Sequence, residues 1–86
     1  MPEISRFFGI IIAMHFKDHM PPHFHAKYAG RRASFSIHDL TILEGELPRR
    51  AISLVLEWVF QHREELLINW ERARRMEALA DIEPLE

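Results

Sequence analysis

The chain has 86 residues, 48% of them apolar and 28% charged, and it contains no cysteine. A chain this short makes one small domain: it buries only about 60% of its unfolded surface and leaves no room for a second core, so a partner or a second copy of itself (a homodimer) would add needed stability. Without cysteine there is no disulfide framework and no thiolate zinc site, so any metal must be held by imidazole and carboxylate.

The formal charge is −2 with histidine neutral, but it is unevenly spread. Residues 1–43 carry five Lys/Arg against three Asp/Glu and hold five of the six histidines, whereas residues 44–86 carry six against ten. A basic, histidine-rich front and an acidic back suit an anion-facing surface opposite a solvated one, and equally suit ordinary charge scatter. The slight overall acidity speaks against strong nucleic-acid binding.

In chain order, "FFGIIIAMHF" (7–16) is rich in isoleucine and phenylalanine and reads as one buried strand, with Phe8, Ile10, Ile12, Met14 and Phe16 sharing a face. It is far short of the ~20 residues needed to cross a bilayer. It also lacks a basic leader and a small-residue cleavage site, so the expectation is a cytoplasmic protein with no membrane partner. "KDHMPP" then breaks the strand, because two prolines remove donors and force extended geometry on their neighbours. Phe24, Ala26 and Tyr28 alternate with His23, His25 and Lys27 as a second strand, Gly30 centres a hairpin turn, and Ala33, Phe35 and Ile37 mark a third strand. "TILEGE" fits a short fourth strand before Gly45 turns the chain.

From Pro48 the period becomes helical. Pro48 suits a first helical turn, and Ile52, Val55, Val59, Leu66 and Trp70 form a stripe widened by Leu56 and Leu67. A bend near residues 61–64 and one continuous helix both fit that pattern. The tail has no period and reads as extended, with Ile82 and Leu85 available to pack on the body. The expected fold is α+β: a three- or four-stranded antiparallel meander covered on one face by a long C-terminal helix or helix pair. It forms a single domain over 1–86, with strands over about 5–45, helix over about 48–75 and tail over 76–86.

The candidate chemistry sits in "DHMPPHFHAKY" (18–28). His23 and His25 lie two apart on a strand and point to one face, away from the helix if Phe24 and Ala26 face it, with Lys27 beside them. Such a pair is half of a metal site, or a base and acid that titrate near neutral pH, or a wet face that tolerates histidine. His19 precedes the Pro-Pro corner, Asp18 is placed to orient an imidazole or complete a ligand set, and His15 ends the first strand near the same region. Arg49 and Arg50 stand in the first helical turn, where the macrodipole disfavours cations, and with the backbone N–H groups they suit a phosphate. The plain alternative is pairing with Glu44, Glu46 or Ser53. Arg31 and Arg32 at the hairpin flank either solvent or a nucleic-acid backbone. Trp58, His62, Glu65 and Asn69 fall on one side of the helix and suit a polar seam.

"DHMPPHFHAKY", "ASFSI", "EGELPRRA", "VLEWVFQHREELLINWERAR" and "IEPLE" together resemble the bacterial family described as domain of unknown function 4160. The positions that carry the resemblance are His19, Pro21, Pro22, His23, His25, Gly45, Leu47, Pro48, Arg49, Trp58, His62, Leu66 and Trp70. His15 departs from the pattern, where an aromatic residue is usual, and no role is carried onto it. The resemblance implies no established activity. It implies a cognate small protein partner, because members are commonly encoded beside another small domain, number 2442, in toxin–antitoxin-like pairs. The order of histidine-bearing strand, basic hairpin, strand and helix is also similar to HicA-type messenger-RNA interferase toxins, by analogy only, since their N-terminal helix and Gly-Ser-His string are missing here.

Three readings follow. In the first, a two-gene-module protein contacts or cleaves RNA without a cofactor, with His23 and His25 as base and acid. His19, Lys27, Arg31, Arg32, Arg49 and Arg50 then contact the ligand, Arg49 as phosphate clamp. In the second, His19, His23 and His25 hold zinc or nickel. In the third, the histidines are structural and the protein is a non-catalytic interaction module.

Overall fold

The computed structural model of the chain describes residues 2–86. Five strands, β1 (Glu3–Phe7), β2 (Ile10–Ala13), β3 (His23–Tyr28), β4 (Arg31–Ser36) and β5 (Ile42–Gly45), form one antiparallel sheet in sequential order, followed by helix α1 (Arg49–Arg74). This is the expected α+β meander under a C-terminal helix, with one strand more than expected.

The extra strand comes from a tight hairpin at the start of the apolar run over 7–16: β1 lies over Glu3–Phe7, ahead of most of the run, and the run itself supplies the turn and β2. Phe8 and Gly9 both take positive φ, 49° and 80°, the pair that a two-residue type I′ turn demands. Phe8 is therefore 60% exposed at the turn, while Ile10, Ile12 and Met14 are fully buried. Ala29 and Gly30 repeat the same geometry between β3 and β4, as the glycine there suggests. At the far edge, Gly45 has φ +79°, and a Cβ on it would strike the Arg32 carbonyl oxygen. Only glycine lets β5 close onto β4.

Alternation along the central strands sorts side chains onto two faces. Phe24, Ala26, Ala33, Phe35 and Ile37 are buried against α1 with Val55, Trp58, Val59, Leu66 and Trp70. Phe24 stacks on Phe35 at 5.4 Å, and Trp58 meets Phe7 and Phe24 at 5.3 and 5.9 Å. Ile52 is only partly buried. Both expectations for the helix hold in part: the helix is continuous, yet it bends at His62, whose φ and ψ of −125° and 23° are not helical.

The helix ends in a Schellman turn. The Met76 and Glu77 N–H groups donate to the Ala73 and Arg72 carbonyls, with Met76 at φ 60°. The chain then runs back over the body. The polar seam along α1 holds it there: Trp58 donates to the Glu83 carbonyl at 2.8 Å, and Asn69 bonds both the carbonyl and the N–H of Ala80 at 2.9 Å. The Ile82 N–H donates to the Ile4 carbonyl, and Ile82 and Leu85 are buried, as expected. The tail thus covers the β1 side of the sheet and leaves β5 as the uncovered edge. No described helix is long and apolar enough to cross a membrane.

Two stability outcomes are expected. Phe35→Ala removes a ring that is 1% exposed and should cost roughly 3–5 kcal/mol in chemical denaturation. Met76→Gly relieves a left-handed side-chain residue and should raise stability by about 0.5–1 kcal/mol in the same assay.

Candidate functional site

The β2–β3 connection builds the site. It is pinned at both ends by backbone bonds, Lys17 N–H to the Ala73 carbonyl at the end of α1 and Ile37 N–H to the Pro22 carbonyl. Between those anchors the prolines fold the segment back so that the Asp18 side chain lies against the start of β3. Asp18 Oδ1 accepts from the His19 N–H at 2.9 Å, and Oδ2 faces two imidazoles, His23 Nε2 at 2.9 Å and His25 Nε2 at 3.3 Å.

The histidines have different jobs. His23 is 4% exposed, packed 5.2 Å from the Trp70 ring. Its Nδ1 donates to the Pro21 carbonyl at 2.7 Å. With Asp18 Oδ2 at the other nitrogen, both ring nitrogens have an oxygen partner. His23 is therefore fully engaged in holding the Asp18 carboxylate. His19 has a side chain that is 83% exposed, with Nε2 at 3.7 Å from Asp18 Oδ1. His25 keeps a partly exposed ring stacked on His15 at 4.1 Å between centroids. His15 Nε2 is buried and has no hydrogen-bond partner.

One ligand atom from each of His15, Asp18 and His25 lies within 4.8 Å of the other two. Two donor atoms on a tetrahedral zinc ion at 2.0–2.1 Å stand about 3.3 Å apart, which is the separation of His25 Nε2 and Asp18 Oδ2. Two imidazoles and one carboxylate with an open side are a donor set for zinc, nickel or iron(II). The electrostatics agree. Burial pushes the Asp18 carboxyl up, but the His19 N–H and then the bonds and charge of His25 and His23 outweigh it and hold the group below its ordinary range. Burial pushes the His25 imidazole down, the Asp18 bond opposes this in part, and the neighbouring His15 and His23 push it further down. A carboxylate ionised and an imidazole neutral are the forms that bind metal.

The structure thus gathers His19, His23 and His25 around Asp18, but the set with metal-ligand spacing is His15, Asp18 and His25. Lys27 and Arg32 line a pocket beside it, while Arg31 is exposed at the hairpin and does not line that pocket. Arg49 and Arg50 are exposed in the first turn of α1, do not line the pocket, and form no ion pair among the described residues. His15 received no role from the sequence, and it is the strand register that brings it to the site. The register Ala13↔His25, carried two residues further, puts residue 15 across from residue 23.

The family model described as domain of unknown function matches residues 9–71. No curated protein and no solved structure matches the chain.

The engagement of His23 yields an expected outcome. Asp18→Ala strands the buried His23 Nε2 and should cost about 1–3 kcal/mol. His25→Ala, at a more exposed position, should cost less in the same denaturation series. The matched segment spans most of the chain, including the Pro-Pro-His-x-His string and all but the last three residues of α1, so the chain belongs to the family described as domain of unknown function 4160.

Proposed function

We propose that this protein is a metal-binding domain in which His15, Asp18 and His25 hold a divalent transition cation at the rim of the open sheet face. The observation that carries this reading is the buried His15 Nε2 without a partner, next to an ionised carboxylate and a neutral imidazole at ligand spacing. A buried ring nitrogen left unbonded costs free energy that a metal–nitrogen bond would recover. His23 then acts as the outer partner that orients the carboxylate ligand. The family resemblance supports a place in a two-gene, toxin–antitoxin-like module with a cognate small protein. Phe60 and Ile68, 75% and 55% exposed on α1, offer apolar surface for such a partner.

A second reading, contact with or cleavage of RNA, is favoured by Lys27 and Arg32 on the same face. Of the His23 and His25 pair, His25 is the one with a reachable ring, so a proton-transfer role falls to it and the two-histidine scheme is weakened by the burial of His23.

Thermal melting with micromolar zinc or nickel separates the readings. The metal should raise the melting temperature of the wild type, and His15→Ala or His25→Ala should abolish the rise, while His19→Ala should keep it. No rise in the wild type removes the metal reading. A rise that survives His15→Ala but not His19→Ala replaces the ligand set. RNA cleavage that persists in chelator and is lost in His25→Ala would favour the second reading.

A further inference from the structure

The open face of the sheet carries side chains in two rows set by the register. Ala13, His25, Ser34 and Glu44 stand side by side across β2 to β5, and Ile11, Lys27 and Arg32 form the next row across β2 to β4. Neighbours within a row are about 4.5–5.5 Å apart, and diagonal neighbours remain within reach of long side chains. Because His25 is flanked by the small side chains of Ala13 and Ser34, a trough of ≈ 410 Å³ opens there, and Ile11 and Ala13 make part of its floor apolar. His15 and His25 line one end and Lys27 and Arg32 line the other. That volume is within the range of small-molecule sites.

Lys27 and Arg32 are direct cross-strand partners. Like charges in that relation are destabilising, and among the described residues neither cation forms an ion pair. Arg6 and Arg74, by contrast, each meet a glutamate on their own element. An uncompensated cationic pair facing a trough, two residue pairs along the strands from His25 of the metal-ligand set, has the makings of an oxyanion site. Resting on the metal reading above, we propose that the trough binds a phosphate group that bridges the cation held by His15, Asp18 and His25 and the side chains of Lys27 and Arg32. The bridge uses both kinds of attraction a phosphate takes, metal–oxygen and charge-assisted hydrogen bonds. Glu44 lines the same trough from β5. Its charge opposes a bare anion, so the ligand presents its phosphate toward Lys27 and Arg32 and a hydrogen-bond donor toward Glu44. A phosphomonoester on a small polar molecule, or the terminal phosphate of an RNA strand, has that chemistry.

The test is calorimetric titration of the zinc-loaded chain with adenosine monophosphate, and with one RNA oligomer made with and without a 5′ phosphate. Zinc loading is verified separately by melting. Adenosine monophosphate should bind zinc-loaded wild type and bind at least tenfold more weakly without zinc. Lys27→Ser with Arg32→Ser should weaken it at least tenfold while leaving the zinc-induced melting shift unchanged. Glu44→Gln should tighten the binding of inorganic phosphate. Binding of only the 5′-phosphorylated oligomer assigns the site to an RNA end, and binding of the mononucleotide alone assigns it to a small phosphomonoester. Equal binding of both oligomers, with no mononucleotide binding, means backbone contact and overturns the proposal. Zinc binding with no phosphate affinity, or with affinity unchanged in the double variant, overturns it while the metal reading stands. Absence of zinc binding in the wild type overturns both.

Discussion

Alternation along β3 governs the rest of the molecule. Phe24 and Ala26 go under α1, and this sends His25 and Lys27 to the opposite face, while His23, at the start of the strand, is buried beside Trp70. With one helix among the described residues, that opposite face has no cover of its own. A slip of one residue would expose Phe24 and bury lysine, so the core fixes where the imidazoles stand. The candidate site is therefore a by-product of burial on the other side of the same strand, placed with the rigidity of a sheet.

The Asp18 carboxylate converts that row of side chains into a site. It is carried in by a connection anchored to the end of α1 and to Ile37, then held by one backbone N–H and His23. Positioning of this kind needs the helix end to be stable, and the tail contributes there. Asn69 and Trp58 tie residues 80 and 83 to the helix, so the segment past Met76 closes the core. In a domain with so small a core, these polar straps on otherwise apolar packing are a large share of what defines the helix position.

The β3–β4 hairpin and α1 were legible because their periods, 2 and 3.6, and Gly30 all agree. The β1–β2 hairpin was not, because its turn falls within a run of isoleucine and phenylalanine that reads as one strand, and its first strand lies in the more polar residues 3–7. Only Gly9 marks the turn, and it needs a phenylalanine beside it in a left-handed conformation. His23 and His25 on a shared face followed from spacing alone. Their difference in burial did not, since it depends on Trp70, a residue 47 positions away from His23 in the chain. Asp18 was readable as an orienting group or ligand from its place beside His19, but His15 became a ligand candidate only once its contact with His25 was known. His15 stacks on His25 as a flat ring and also carries ring nitrogens. The exposure of Arg49 and Arg50, away from the trough, reflects where the β5–α1 connection ends, which no local pattern encodes.

The central claim is that two imidazoles and one carboxylate converge on a cation. X-ray absorption at the zinc edge of the loaded protein tests it most directly, because imidazole rings give outer-shell scattering that can be counted. The account requires a first shell of nitrogen and oxygen at about 2.0–2.1 Å with the outer-shell pattern of two imidazoles, falling to one in His15→Ala. An all-oxygen shell, or a two-imidazole pattern unchanged in His15→Ala, would contradict it.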